Sequence, residues 1–178
     1  METGLLLLRV ALGTLIAAHG AQKLFGWFGG PGLSGTAGWL ESMGFKPGRV
    51  HATMTGLAEF GGGALLALGL LTPLGAAAAA GVMIVAIVTV HWSNGFFNTP
   101  GGYEFNLLVA VSAIVLAFTG PGRISFDNAL GLELAGTEWG IAALALSALS
   151  AVMVLASRKH QLIVAEEEKE LETPRQAA

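Results

Sequence analysis

The sequence predicts an all-α, polytopic transmembrane helical bundle with a four-helix core and a fifth span. Of 178 residues, 53% are hydrophobic and 12% are charged, about half the charged share of a soluble domain. Nine of the charged residues fall within 158–178, and none lies between Glu59 and Glu104. A chain of this length cannot form a soluble core large enough to bury that stretch, so we expect it to lie in a bilayer.

The remaining composition excludes several classes of function. The chain has no cysteine, which excludes a disulfide framework, a thiolate metal site and a CxxC redox pair. A redox role would therefore require a bound cofactor or a partner. The net charge of -3 gives no reason to expect nucleic-acid binding.

The first predicted span is Leu5 to Phe25, about the length that crosses a bilayer. No basic residue precedes its apolar run, which favours a retained helix over a signal peptide. Arg9 is expected to snorkel to the nearby interface. The loop from Gly26 to Arg49 carries aromatic residues suited to the headgroup level, and a short interfacial helix is predicted at 38–43.

The second span is predicted from Val50 to Leu71. Its glycines 56, 62, 63 and 69 allow close approach of a neighbouring helix, and the first three share a face with Glu59. Thr72 is the expected N-cap of the third span, which runs from 74 to 91, with Pro73 at its first position. Because the turn is so short, these two spans should be antiparallel neighbours.

The fourth span opens at Tyr103-Glu104, where the helix dipole favours the carboxylate, and ends near Thr119. A polar connection, 121–136, leads to a fifth span at 138–157, capped by Thr137. We thus expect a membrane bundle over 1–128, a linker and fifth helix over 129–157, and a hydrophilic acidic tail over 158–178.

The basic residues predict the orientation of the chain in the membrane. With five spans, Lys23, Lys46, Arg49, Arg158 and Lys159 share one side of the bilayer. The excess of basic residues on cytoplasmic loops then places the tail in the cytoplasm of a multi-pass plasma-membrane protein.

The polar residues of the spans should meet at one end of the bundle. His19 and Lys23 lie at the exit of the first helix, Glu59 inside the second, His91 at the end of the third and Glu104 at the start of the fourth. A bare carboxylate at the depth of Glu59 is costly, so a partner is expected, with Lys23 or His19 nearest. Lys23 could instead snorkel to the headgroups.

Three interpretations of this cluster remain open. The first is a polar network that only fixes helix register. The second is a pocket for a quinone, whose carbonyls histidine, lysine and tyrosine can bind while aromatic rings pack on its face. The third is a metal site from His19, Glu59, His91 and Glu104, although no close ligand spacing such as HExxH is present.

The runs LLRVALGTLIAAHGAQKLFGWFGGPG, GLAEFGGGALLALGLLTPLGA, VHWSNGFF and GGYEFN resemble the DoxX family of small membrane proteins over about 5–128. The resemblance implies a four-helix bundle associated with membrane redox systems. Related proteins include a subunit of thiosulfate:quinone oxidoreductase, and others assemble with soluble antioxidant enzymes. The motif positions are His19, Lys23, Gly26, Glu59, His91, Asn94, Gly102, Tyr103 and Glu104.

These observations lead to a hypothesis for function: an integral membrane subunit of an oxidoreductase system, which interacts with quinone or anchors a soluble redox partner or another membrane subunit. The candidate pocket residues are His19, Lys23, Glu59, His91, Asn94, Tyr103 and Glu104. A non-catalytic assembly or stress-related membrane component is the alternative. A small-solute transporter is a further one, disfavoured because the chain has no evident internal repeat.

Overall fold

A computed structural model describes the backbone of residues 2–176 and the side chains of residues 2–158. Within these residues the chain is helical and contains no strand. The helices are α1 (Glu2–Phe25), α2 (Gly32–Ser42), α3 (Gly48–Leu68), α4 (Thr72–Ala86), α5 (Glu104–Thr119), α6 (Phe126–Ala129) and α7 (Thr137–Gln176). Three further turns are a 3-10 turn at Trp27–Gly29, a π-helical turn at Ile87–His91 and a 3-10 turn at Trp92–Asn94.

The bundle combines contacts between successive helices with contacts that skip over one or more helices. α1 packs chiefly on α3, α3 on α4, and α4 on both α5 and α7, while α2 lies against α1 and α3. We call the end where α3 turns into α4 the turn end. The opposite end, where α1 and α4 finish and α3 and α5 begin, we call the site end.

The surface of the bundle is apolar, as a bilayer requires. Large hydrophobic side chains are exposed on all the long helices, among them Leu7, Leu57, Leu108 and Leu149. Among the residues that the structure describes, three segments are long and apolar enough to cross a membrane, Glu2–Phe25, Thr72–Asn94 and Thr137–Arg158, and α5 is a shorter apolar helix. The predicted class, a polytopic helical bundle, is confirmed.

α1 and α3 approach backbone to backbone through glycine. A Cβ atom at Gly63 would lie 2.5 Å from the carbonyl oxygen of Gly13 and from the amide nitrogen of Ala17. Gly62 faces α4 instead, where the carbonyl oxygen of Gly75 lies 3.2 Å from such a position. The predicted close packing at these glycines is therefore confirmed, and it fixes α3 between two neighbours.

The α3–α4 turn is held by a residue that the sequence analysis did not single out. Asp127 is buried, and its carboxylate accepts hydrogen bonds from the amides of Leu71 (2.7 Å) and Thr72 (3.0 Å) and from the Thr72 hydroxyl (2.7 Å). The expectation that Thr72 caps α4 was wrong. Leu71 occupies that position, and Asp127 supplies the acceptors from outside the helix.

Arg9 does not snorkel, contrary to expectation. It is 3% exposed, and its guanidinium donates to the carbonyl oxygens of Ala67 (2.5 Å) and Ile124. These groups lie at the turn end close to the carboxylate of Asp127, with which Arg9 interacts electrostatically. Free carbonyls at the end of a helix attract a cation, so Arg9 ties α1 to the end of α3.

α7 crosses the bundle and reaches the site end. The Nε of Arg158 donates to the carbonyl oxygen of Met43 at 2.7 Å, and its guanidinium lies 5.5 Å from the centroid of the Phe45 ring. We call this contact the Arg158 bridge. α2 is longer than predicted, and the regular part of α4 ends earlier, at Ala86. The predicted tail is helical to Gln176, and its side chains beyond 158 lie outside the described residues.

Gly63→Ala should destabilise the protein, because its methyl group would collide with the backbone of α1. Gly61 is the matched control: a Cβ there meets nothing within 4 Å, and Gly61→Ala should stabilise α3 by about 0.5–1 kcal/mol through helix propensity. Thermal unfolding in detergent would measure both. Equal midpoints for the two variants would contradict backbone contact between α1 and α3.

Asp127→Ala should lower the free energy of unfolding by about 1–3 kcal/mol, because buried amide groups of the turn lose their acceptor. Thermal unfolding followed by circular dichroism would report it. Glu133→Ala, an exposed carboxylate in the same connection, serves as control. A midpoint unchanged in Asp127→Ala would contradict the assigned role.

Candidate functional site

A cavity of about 560 Å³ lies among α1, α2, α3, α4, α5 and α7 and extends from the site end along α4. Most of its lining is apolar. The polar side chains that line it are His19, Lys23, Thr55, Glu59, Thr89, His91, Asn98, Asn106 and Ser150. A few polar groups on an apolar wall, at this volume, are typical of a small-molecule site.

Lys23 and Glu59 form an ion pair on the cavity wall. The carboxylate of Glu59 is 3% exposed and the Lys23 side chain 21%. Close packing of Gly20 against the backbone of Phe60 brings the last turns of α1 alongside the middle of α3. The expected partner of Glu59 is therefore present, and Lys23 points into the protein rather than to the headgroups.

His19 lies one turn before Lys23 and lines the same cavity. Its side chain is exposed, its ring centroid lies 6.4 Å from that of Phe105, and it is within electrostatic range of Glu59. Three ionisable groups from α1 and α3 thus meet at one place.

His91 lines the cavity from the end of α4. Its Nδ1 lies 2.7 Å from the carbonyl oxygen of Gly101. A carbonyl only accepts, so Nδ1 carries the hydrogen and Nε2 is left without one in the neutral ring. His91 closes the π-helical turn at Ile87–His91, a local widening that often occurs at functional sites.

The remaining predicted site residues shape the loop between α4 and α5. Asn94 donates to the carbonyl oxygen of Gly101 at 3.2 Å. Tyr103 stacks on Trp92, with centroids 5.3 Å apart and planes inclined by 12°. The carboxylate of Glu104 accepts from the amide of Asn98 at 2.8 Å. These three side chains are not among those that line the cavity.

The sequence analysis missed residues that the cavity uses. Asn106, buried in α5, donates to the Met83 sulfur at 3.4 Å and lines the cavity. The sequence feature that could have identified Asn106 is a side-chain amide inside an apolar helix, two positions after Glu104. Trp39 also lines the cavity and, with Lys23, borders a smaller cleft of about 240 Å³ between α1 and α2.

The four side chains considered for a metal site are not arranged as ligands. Within the described residues, no three histidine, aspartate or glutamate side chains lie together closely enough to hold a metal ion. The carboxylate of Glu104 instead bonds to the loop. The ionisable groups of the cavity therefore form a charge pair with flanking imidazoles.

The fold and this cavity define a class: a multi-pass membrane protein of the plasma membrane, with an intramembrane ion pair at the wall of an apolar cavity. The chain belongs to the DoxX family, whose sequence profile matches residues 4–92. Inner membrane protein YqjF of Escherichia coli (strain K12) is 30% identical over 131 residues, 72% of this chain and 93% of that protein. No solved structure matches the chain.

Lys23→Met should destabilise the protein by about 3 kcal/mol, because it leaves the buried carboxylate of Glu59 without its partner. The double variant Lys23→Met/Glu59→Leu removes both charges and should recover most of that loss. Thermal unfolding of the single and double variants in detergent measures the coupling. A single variant as stable as the unmodified protein would contradict a charged pair.

Proposed function

We propose that this chain is a quinone-binding membrane subunit of an oxidoreductase system. The observation that carries the proposal is the Lys23–Glu59 ion pair at the wall of a large apolar cavity. Ionisable residues inside a membrane are costly to place and commonly mark a functional site. A quinone ring needs apolar walls with one or two polar partners, which this cavity offers.

Lys23 is suited to bind the oxidised form of a quinone, and Glu59 is suited to bind the reduced form. An ammonium group has three donors, so Lys23 can donate to a quinone carbonyl while it stays paired with Glu59. The carboxylate of Glu59 can accept a proton from a quinol hydroxyl. The ion pair thus offers a hydrogen-bond donor to the quinone and a proton acceptor to the quinol.

Proton movement to and from the pair is assigned to the imidazoles. His91 presents Nε2 as a base, because Nδ1 is engaged with Gly101. His19 lies within electrostatic range of Glu59. Histidine is suited to this task because its ordinary pKa lies near neutral pH.

The two electrons must come from, or go to, another protein. The sequence has no cysteine and no recognisable nucleotide motif. We propose a soluble redox protein or another membrane subunit as the partner. The α4–α5 loop supports docking there, since it is ordered by Asn94, Tyr103 and Glu104 and exposes Phe97.

The same loop favours a second candidate, a non-catalytic assembly component. Three of the predicted site residues serve the loop rather than the cavity, which fits a surface that binds a partner. In that case a soluble dehydrogenase or dismutase would be captured with the protein while no quinone is bound.

Quinone retained through purification in mild detergent distinguishes the two candidates. We expect ubiquinone or menaquinone to co-purify, and its content per protein to fall about tenfold in Glu59→Gln and in His19→Ala. A tenfold fall in quinone content corresponds to about the free energy of one hydrogen bond to a charged group. Extraction and chromatographic quantification of quinone would measure it.

The matched controls remove a carboxylate and an imidazole that do not line the cavity. Glu133→Gln changes an exposed carboxylate in the connection before α7, and His51→Ala changes an imidazole that does not line the cavity. Both should retain quinone. The proposal fails if Glu59→Gln and His19→Ala keep the full quinone content.

A further inference from the structure

The cavity is elongated rather than round. Its lining runs from Leu74 on α4 to His91 at the end of the following π-helical turn, about 25 Å at the rise of an α-helix. The lining positions are 74, 77, 78, 81, 82, 83, 85, 86, 89, 90 and 91, and most of them follow one helix face. The cavity is therefore a groove along almost the whole length of α4.

The walls of this groove are α3 and α7. Met54, Thr55 and Ala58 line it from α3, and Leu146, Ser150 and Val154 line it from α7. Both helices pack on α4, while contacts between α3 and α7 are sparse among the described residues. Met54 and Leu146 are also exposed, so the groove opens sideways to the bilayer.

The polar groups lie in the site-end half of the groove. Gly62 of α3 packs against Gly75 and Ala78 of α4, so Glu59, three residues before Gly62, lies at about the level of Gly81. From Gly81 to Leu74 the α4 side of the groove is apolar or glycine over about 10 Å. Toward the site-end surface, α2 and the Arg158 bridge cover it.

We infer that this apolar length holds the isoprenoid tail of the quinone, with the ring at the ion pair and the tail leading toward the turn end. The inference rests on the proposed function and adds the basis of ligand selectivity, a polar ring that carries an apolar tail. A polar ring fits only one end, and the tail gains affinity from each buried carbon. The lateral opening lets the molecule enter from the bilayer rather than from water.

Leu74→Trp tests the groove, because Leu74 lines it at the turn end, about 10 Å along α4 from the level of Glu59. Leu68→Trp is the matched control: the same change, at the same end of the bundle, at an exposed leucine outside the cavity lining. The probes are ubiquinone with a long isoprenoid tail and its dimethoxy-methyl-benzoquinone headgroup without a tail.

We expect Leu74→Trp to weaken binding of the long-tailed probe by about tenfold or more, since displacing two buried methylene groups already has that effect. Binding of the tail-free headgroup should stay unchanged in both tryptophan variants, which also shows that each variant is folded. Titration of the purified protein, followed by tryptophan fluorescence quenching and by calorimetry, gives the affinities.

Two results would overturn the inference while leaving the proposed function intact: equal affinity of the unmodified protein for both probes, or an equal loss for both probes in Leu74→Trp. If the unmodified protein binds neither probe, the proposed function fails and the tail groove fails with it.

Discussion

The buried carboxylate of Glu59 is the constraint on which the arrangement of the site end depends. In a medium of low dielectric constant a bare charge is too costly, so the carboxylate needs a cation and walls that exclude lipid. Lys23 supplies the charge and α1 supplies the wall. The glycines of α1 and α3 serve this need, because only a backbone-to-backbone approach brings the last turns of α1 against the middle of α3.

A second polar cluster holds the opposite end of the bundle. Arg9 donates a hydrogen bond to a carbonyl oxygen at the end of α3, and the carboxylate of Asp127 accepts hydrogen bonds from the amides at the start of α4. The ion pair instead lies on the wall of the cavity between α3, α4 and α7. The two clusters therefore have different consequences: one closes the bundle, and the other lines a cavity.

The spans could be predicted from the sequence because bilayer thickness sets the length of an apolar run. The partner of Glu59 could be predicted because a buried carboxylate requires a cation nearby. Asp127 could not, since its role depends on a connection folding back by some 55 residues onto the start of α4. The capping role assigned to Thr72 failed for the same reason. Asn94 and Tyr103 were grouped with the pocket as positions of the family resemblance, and Glu104 also because it opens the fourth span at the same end of the bundle. Their bonds close a loop, which only the coordinates of that loop reveal. The groove along α4 depends on the lateral gap between α3 and α7, and no sequence spacing encodes such a gap.

The glycine contact between α1 and α3 has a mechanical consequence. Two helices that touch through their backbones have no side chains between them that could change rotamer, so they behave as one stiff body. α7 meets its neighbours through serines, alanines and the Arg158 bridge, and faces the cavity with flexible side chains such as Leu146. The cavity is thus bounded by α3, which carries the carboxylate, and by α7, whose lining side chains are uncharged. The distance between ammonium and carboxylate is set by the contact of α1 with α3 and does not depend on the position of α7.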